Sequence, residues 1–316
     1  MPEPAGIPTD RPWPTVSVIV PVYNDPEGLA RCLERLEAQS YPKDLYEVLV
    51  VDNGSSEPLD HVVGRFPQAR LLTEPRGGQF SARNTGVAQS TGAVLAFTDA
   101  DCLPLVDWLE VGVRALLETP GCAQVGGDVE VYARDRRRPT AVETYELIRA
   151  FPQQHYVELE HYAVTANMFT FRRVYDLVGP FNEHMLSGGD NEWGKRLHDR
   201  GLVQVYCEEA RVLHPARRSF GALYRKIRRT SIGHRYLNAI RKEKGYSPGR
   251  FLYDLRLPVK EMSRAMVDPR LPDLKAKLQY IGVAVFARVA RAWARLRLEI
   301  EPRQTHGKKW SPQGNG

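Results

Sequence analysis

The chain has 316 residues, of which 42% are hydrophobic and 26% charged. This length allows about two domains of ~150 residues each, and the composition supports a packed core and excludes a largely disordered or collagen-like chain. The net charge of +6 is unevenly distributed: residues 1–210 carry 19 Lys and Arg against 31 Asp and Glu, whereas residues 211–316 carry 25 against 7. We therefore expect the second part to present a basic surface to an anionic partner, such as nucleic acid, anionic lipid or a phosphorylated substrate.

Strands and helices alternate along the first hundred residues. After a Pro-rich leader without the apolar stretch of a signal peptide, short apolar runs predict four buried strands, over residues 16–21, 48–51, 70–73 and 93–98. Apolar residues at helical spacing predict three intervening helices, over residues 27–39, 59–66 and 81–89. This alternation indicates an α/β fold whose parallel strands are joined by right-handed crossovers.

The pattern changes near residue 215. Before it, helix and strand are mixed, and an amphipathic helix is predicted over 190–200; after it, Arg-rich helices are interrupted by prolines. We therefore predict a leader (1–14), a catalytic domain (15–215, with a nucleotide-binding half at 15–103 and an acceptor half at 104–215) and a basic helical region (216–316). The longest strongly apolar stretch, 281–287, falls well short of the ~20 residues of a membrane-spanning helix.

The cysteine pattern gives an expectation about compartment. The four cysteines, at positions 32, 102, 122 and 207, are too widely spaced for a disulfide framework or a zinc ribbon. We therefore expect reduced, mostly buried thiols in a cytoplasmic protein.

Polar residues follow three of the predicted strands, at the edge where open α/β sheets bind ligands. The G-x-G-x-x-G and Walker A patterns are absent, which favours a nucleotide site formed by carboxylates rather than glycines. Asp99 and Asp101 directly follow one strand, and two carboxylates in one cleft suit Mg²⁺ or Mn²⁺, which can stabilise a diphosphate leaving group. A D-x-D pair alone is a weak signal, because most such pairs are turns or caps.

Several runs in order resemble the family 2 inverting glycosyltransferases of the GT-A fold. The runs are SVIVPVYND, VVDNGSS, RGGQFSARNTGVAQSTGAVLAFTDADC and LSGGDNEWGKRLHDRGLVQVYCEEARVLHP. The resemblance covers about residues 15–233. It implies a mixed, mostly parallel sheet flanked by helices, and a metal-dependent transfer of sugar from a nucleotide-diphosphate sugar, most often UDP, to an acceptor hydroxyl. A glycan or lipid-linked acceptor in polysaccharide or glycolipid synthesis is implied as well.

The resemblance assigns roles residue by residue. Implied for nucleotide and donor binding are Pro21, Tyr23, Asn24, Asp52, Arg83, Asp99, Ala100, Asp101 and Asn167. Implied for the metal are Asp99, Asp101 and His214. Asp190 falls at the position of the catalytic base, and the acceptor side comprises Gly188, Gly189, Glu192 and Trp193.

Some of these residues have an independent chemical argument, and each has a structural alternative. Asp190 opens a predicted helix, where the ionised carboxylate is favoured and can accept a proton from an acceptor hydroxyl; the alternative is an N-cap. For Asp52 the alternative is a turn cap, for Arg83 a solvated helix residue, and for His214 a histidine whose hydrogen bonds are made within the fold. For Trp193 the alternative, and the more common role of such a residue, is a core aromatic.

Two departures from the family pattern narrow the activity. Gly189 stands where the family often has Glu, and Lys226-Ile227-Arg228-Arg229-Thr230 stands where processive synthases have Q-x-x-R-W, which argues against a processive polymerase.

A sugar nucleotidyltransferase is an alternative, although residues 22–26 contain no glycine or basic residue to hold a triphosphate. A basic nucleic-acid-binding module is another, disfavoured because stacking aromatics are not interleaved with the charges; we expect no nucleic-acid partner.

The last predicted helix has an apolar stripe at three- and four-residue spacing. The stripe consists of Leu274, Leu278, Ile281, Val285, Val289, Trp293 and Leu296, with Arg288, Arg291 and Arg295 beside it. Such a helix can lie peripherally on an anionic membrane, such as the inner face of the cell membrane, or pack on the catalytic domain as core. The sequence leaves both possibilities open.

Overall fold

The computed structural model describes residues 13–241, 246–256 and 258–300, so most of the predicted leader lies outside the described residues. An eight-stranded mixed sheet has the order β3-β2-β1-β4-β7-β6-β8-β5. Its strands are β1 (Val16–Val22), β2 (Tyr46–Asp52), β3 (Ala69–Thr73), β4 (Val94–Thr98), β5 (Leu103–Pro104), β6 (Cys122–Tyr132), β7 (Asn167–Phe171) and β8 (Val203–Pro215). The α/β prediction is confirmed.

The first four strands form a parallel block, in which β1 pairs with both β2 and β4, and β2 pairs with β3. Beside β4 in the sheet lies β7, which runs antiparallel to both of its neighbours, β4 and β6. Thr98 at the end of β4 is therefore paired with Asn167 at the start of β7. As a result, the carboxyl ends of β1, β2 and β4 open onto one edge of the sheet.

Eight helices accompany the sheet. They are α1 (Pro26–Glu37), α2 (Asp60–Val63), α3 (Gln79–Ala88), α4 (Trp108–Glu118), α5 (Ala141–Arg149), α6 (Gln153–Glu160), α7 (Arg172–Val178) and α8 (Gly189–His198). Helix α1 is capped by Asp25, whose Oδ1 accepts from the Gly28 N–H at 2.9 Å. The helix predicted over 59–66 is reduced to the four residues of α2, with Gly64 as its C-cap. All four cysteines are buried and unpaired.

Among the described residues, all strands precede residue 216, and the chain beyond it is helical. Its helices are α9 (Phe220–Ile240), α10 (Pro248–Asp254), α11 (Val259–Val267) and α12 (Leu274–Ile300). The long helix α12 packs on α9 and α5 through a small apolar cluster that includes Val142, Leu223, Ile227 and Val283. No helix in the described part of the chain combines the length and apolarity needed to cross a bilayer.

Candidate active site

The loops that follow β1 and β2 are tied together at the sheet edge. Asn24 takes a left-handed conformation (φ 51°), which asparagine tolerates better than most residues. Its Oδ1 accepts from the Ser56 N–H at 2.7 Å, while its own N–H donates to the Ser55 hydroxyl at 2.9 Å. Asp52 accepts the Ser55 N–H at 2.9 Å and so caps the turn in the same loop, which is the structural alternative given for it above. The expected nucleotide residues after β1 and β2 are thus brought to one place.

A buried network beside these loops was missed by the sequence reasoning. Asn53 donates to the carbonyls of Glu74 (3.0 Å) and Arg76 (2.7 Å) and accepts the Gly78 N–H at 2.8 Å. Glu74 accepts from the Arg76 guanidinium and the Thr85 hydroxyl, and the Arg76 bonds lower the pKa of this carboxyl to about 2. The network fixes the start of α3, and its only sequence signal is the Gly77-Gly78 pair.

Arg83 on α3 is paired with Asp99 at the end of β4. The arginine is only 1% exposed, and its guanidinium donates to Oδ1 of Asp99 and to the carbonyl of Gln79. Its Nε has no partner in the described structure. Because a buried charge needs compensation, the solvated-residue alternative for Arg83 is wrong, and this ion pair anchors the first carboxylate of the D-x-D sequence.

The second carboxylate faces His214 at the end of β8. Nε2 of His214 lies 3.6 Å from Oδ2 of Asp101, and Nδ1 donates to the carbonyl of Pro215 at 2.9 Å. Because Nδ1 donates to this carbonyl, Nε2 is the ring nitrogen that faces the carboxylate. The Sγ atom of Cys102 completes a set of potential ligand atoms within 4.8 Å of one another. Asp99, expected in the metal set, is instead bound to Arg83 in this structure, and Ala100 between the carboxylates is buried.

Asp190 lies in the first turn of α8, and the N-cap is Gly188, in a left-handed conformation (φ 80°). The Asp190 carboxylate accepts the Asn191 N–H at 2.9 Å. Burial raises the pKa of Asp190 above its ordinary value; the positive charge of Arg83 opposes this rise and the negative charge of Asp99 adds to it. Asp190 is therefore within electrostatic reach of the Arg83–Asp99 pair.

Helix α9 brings basic residues to these carboxylates, which the sequence reasoning did not assign to the site. Burial lowers the pKa of Arg229, as does the charge of Arg217, whereas Asp99 and Asp190 raise it. Arg217 is itself bound to the buried carboxylate of Glu146. Arg229 stands at the arginine position of the family's Q-x-x-R-W segment, whose glutamine and tryptophan are replaced here. This match is the sequence signal that could have assigned Arg229 to the site.

Three expected site residues are placed otherwise. Asn167 is completely buried; its Nδ2 donates to the carbonyls of Asp128 and Ala210, both at 2.7 Å, and its Oδ1 accepts from Trp108 at 2.8 Å. Trp193 is a core aromatic, in agreement with the structural alternative to an acceptor contact, and its Nε1–H donates to the carbonyl of Gly179 at 2.8 Å. Glu192 is paired with Arg196 one turn along α8. These side chains hold the walls of the cleft rather than project into it.

Gly189, in contrast, is required by the packing of α8. A Cβ atom at this position would lie 2.7 Å from the ring of Phe80 on α3. The absence of that atom lets the first turn of α8, with Asp190, approach α3 and its Arg83.

The chain is similar to several known proteins. The sequence model described as "Glycosyl transferase family 2" matches residues 17–178. Glycosyltransferase AglE of Haloferax volcanii is 40% identical over 225 residues, covering 70% of this chain and 73% of that protein. A Methanococcus voltae enzyme named dolichyl N-acetyl-alpha-D-glucosaminyl phosphate 3-beta-D-2,3-diacetamido-2,3-dideoxy-beta-D-glucuronosyltransferase is 23% identical over 200 residues, covering 59% of this chain and 62% of that protein.

The fold likeness extends further along the chain. The mannosyltransferase PcManGT of Pyrobaculum calidifontis, solved in complex with GDP-Man and Mn²⁺, superposes with a TM-score of 0.60 at 21% identity, covering 92% of each chain. The fold and its carboxylate-lined cleft thus define a GT-A glycosyltransferase. The chain belongs to glycosyl transferase family 2.

Proposed function

We propose that this protein transfers a sugar from a nucleoside-diphosphate sugar to an acceptor hydroxyl with inversion, by a single displacement assisted by a divalent metal ion. The observation that carries the proposal is the grouping of Asp190 with the Arg83–Asp99 pair at the carboxyl ends of the parallel strands. Such a displacement needs a base for the acceptor hydroxyl and a stabilised leaving group, and needs no covalent intermediate. Asp190 is the proposed base, and its raised pKa brings it closer to the proton affinity that general-base catalysis uses near neutral pH.

The donor site is proposed at the loops after β1 and β2. Pro21, Tyr23 and Asn24 would contact the base, and Asp52 would accept hydrogen bonds from the base or the ribose through the oxygen that does not cap the turn. Arg83 and Arg229 add positive charge where a diphosphate would lie. UDP-sugars follow from the family resemblance, and GDP-mannose follows from the ligand of the Pyrobaculum enzyme, so these donors are tested first.

Asp101 and His214 are the proposed metal ligands, and their chemistry fits Mn²⁺ or Mg²⁺. The His214 Nδ1–H bond to a carbonyl fixes the tautomer that leaves Nε2 free to bind, which is the usual support for a ligating histidine. A bound divalent ion supplies positive charge to the diphosphate as it leaves. Cys102 is a poor ligand for such hard ions, which prefer oxygen and nitrogen.

An acceptor route is proposed through a cavity of about 570 Å³ between α5, α6, α9 and α12. Its wall combines apolar Phe151, Leu223 and Ile227 with cationic Arg149 and Arg291 and with Lys226, which is paired with Glu146 at 3.0 Å; Glu160 also lines the cavity. Phe151 also contacts the ring of His214, 4.6 Å between centroids, and Tyr156 in the same wall lies within electrostatic reach of Asp190. This chemistry suits a lipid-linked acceptor with a phosphate group, and the Methanococcus relative is named for a dolichyl-linked sugar phosphate.

The proposal is tested with a panel of UDP-, GDP- and dTDP-sugars. We expect one donor class to raise the melting temperature with Mn²⁺ and much less after chelation, and we expect the same donor to release its nucleoside diphosphate when an acceptor is supplied. The anomeric configuration of the product, read by NMR, decides between inversion and retention. Failure of every nucleotide sugar to bind in the presence of Mn²⁺ contradicts the proposal.

A further inference from the structure

Helix α12 has two apolar faces on opposite sides. The face that packs on α5 and α9 consists mainly of small residues: Val283, Ala284, Ala287, Ala290 and Ala294 are buried. The stripe of larger residues that the sequence pointed to lies on the other side, because Leu274, Leu278, Val289 and Trp293 are between 46% and 64% exposed. These four members of the stripe are therefore not core, whereas Ile281, Val285 and Leu296 are half-buried. The exposed members call for a second covering surface.

The neighbouring helices expose further large apolar side chains. Of the eighteen exposed large apolar side chains in the described structure, thirteen lie between residues 220 and 300. Helix α10 is held beside α12 by Arg288, whose Nε donates to the carbonyl of Asp254 at 2.7 Å, and α11 is held by Lys277, which donates to the carbonyl of Met266 at 2.8 Å. We call the exposed members of α10–α12 the C-terminal apolar surface; they are Leu252, Tyr253, Leu255, Val259, Met266, Val267, Leu274, Leu278, Val289, Trp293 and Ile300.

The charge of the same segment indicates what kind of partner covers the C-terminal apolar surface. Residues 246–300 contain eleven Lys and Arg against five Asp and Glu. Lys275 is exposed beside Leu274 on α12, and the guanidinium of Arg256 lies 5.1 Å from the ring centre of Tyr253. A second copy of the chain would bring two positive surfaces together, which is unfavourable, whereas an anionic bilayer complements both the charge and the apolar side chains.

We infer that the C-terminal apolar surface rests on an anionic lipid bilayer, with α12 lying along the interface. A helix of 27 residues is about 40 Å long, so it offers an extended row of contacts in the membrane plane. Large apolar side chains enter the acyl boundary, and exposed basic side chains such as Lys275 and Arg256 reach the anionic headgroups. The inference rests on exposure and charge alone and holds whatever sugar the enzyme transfers.

Vesicle flotation of the full chain tests the inference. We expect binding to vesicles of phosphatidylcholine with 30 mol% phosphatidylglycerol, weak binding to phosphatidylcholine alone, and loss of binding as salt is raised. The double variant Leu278→Glu/Trp293→Glu should bind at least ~10-fold more weakly, since charges replace inserted side chains. The control Leu117→Glu/Leu177→Glu carries the same charge change on exposed positions of α4 and α7 and should bind as the wild type does.

A fluorescence readout locates the contact. Brominated lipids should quench emission in the wild type, and the quenched component should be missing in Trp293→Leu, which keeps the surface apolar. Circular dichroism establishes that all variants are folded. The inference is overturned if the wild type does not bind anionic vesicles at low salt, or if both double variants lose binding equally. It is also overturned if sedimentation shows a dimer that only Leu278→Glu/Trp293→Glu dissociates, because the surface is then a contact between copies.

Discussion

Nε2 of His214 lies 3.6 Å from Oδ2 of Asp101, too far for a hydrogen bond and within the spacing of two ligands to one ion. The histidine is held in place by its Nδ1–H bond to the carbonyl of Pro215. Asp101 lies in the loop between β4 and β5, and His214 lies near the end of β8, so the contact joins this loop to β8. This pair is the basis of the first prediction.

Removal of either partner should weaken metal binding. We expect His214→Ala and Asp101→Asn to reduce Mn²⁺ affinity by ~10-fold or more, and to lower transfer by orders of magnitude while the fold survives. Cys102→Ala, at the third member of the cluster, should leave Mn²⁺ affinity nearly unchanged because Mn²⁺ prefers oxygen and nitrogen ligands. Titration followed by electron paramagnetic resonance measures all three. Loss of Mn²⁺ affinity in Cys102→Ala alone would identify a site for a softer metal.

The Asp190→Asn variant should separate binding from chemistry. The amide keeps the size of the side chain and cannot take a proton, so we expect the donor Kd to stay within about threefold of wild type and transfer to fall by ~10²–10⁴-fold. Calorimetry gives the first quantity and release of nucleoside diphosphate gives the second. A parallel loss of donor affinity would place Asp190 in the nucleotide site and remove it as the base.

The pH profile should carry the signature of this residue. Asp190 acts in its ionised form, and burial raises its pKa, so activity should fall as pH drops through a midpoint above the ordinary ~3.9 of aspartate. The profile of kcat/KM at saturating Mn²⁺ measures this limb. Donor and Mn²⁺ binding followed over the same pH range separate protonation of the base from release of the metal. A midpoint at or below the ordinary value would be inconsistent with the buried site.

The Glu74 network should stabilise the fold in a pH-dependent way. The folded pKa of about 2 lies below the ordinary value of 4.5, so the stabilisation is present above pH ~4.5 and is lost as pH falls through the folded pKa. We expect Glu74→Gln to cost about 1–3 kcal/mol at pH 7, the lower part of this range applying because Arg76 is largely exposed to water. Urea unfolding from pH 3 to 7 should show the difference from wild type shrinking at the acid end.

A matched exposed pair provides the control for that experiment. Glu34 lies 3.8 Å from Arg65, and both side chains are more than half exposed. Glu34→Gln should change stability by less than about 0.5 kcal/mol at any of these pH values. An equal effect of the two substitutions would show that the Asn53–Glu74–Arg76 network does not support the loop before α3.

Gly189→Ala should displace the base without touching the substrate. Its Cβ would meet the Phe80 ring at 2.7 Å, so we expect a destabilisation of about 1–3 kcal/mol and a loss of kcat of ~10-fold or more, because Asp190 moves with α8. Gly282→Ala is the control, since its Cβ would meet nothing within 4 Å, and a helical alanine should stabilise slightly. If Gly189→Ala retains wild-type kcat, the close approach of α8 to α3 is not needed for catalysis.

Local sequence alone determined the order of strands and helices and the edge of the sheet where the polar residues gather. Strands β1 and β4 are buried on both faces, so their runs are mostly apolar and polar residues mark where they end: Tyr23 and Asn24 follow β1, and Asp99 follows β4. The family resemblance supplied the roles of Asp101, Asp190 and His214, which spacing could not give.

Only the tertiary structure decided which polar residues face the cleft and which hold it together. Asn167 and Asn53 are both asparagines at strand ends, yet Asn167 bonds to backbone from β6 and β8 and Asn53 to the loop before α3. Likewise, periodicity identified an apolar stripe of large residues on α12. The small residues on the opposite side, however, let α12 approach α5 and α9 closely, and helix packing favours such close approach. The packed face was therefore the alanine-rich one, and Leu274, Leu278, Val289 and Trp293 of the larger stripe were left exposed. Such choices depend on contacts between distant segments, which a local pattern does not contain.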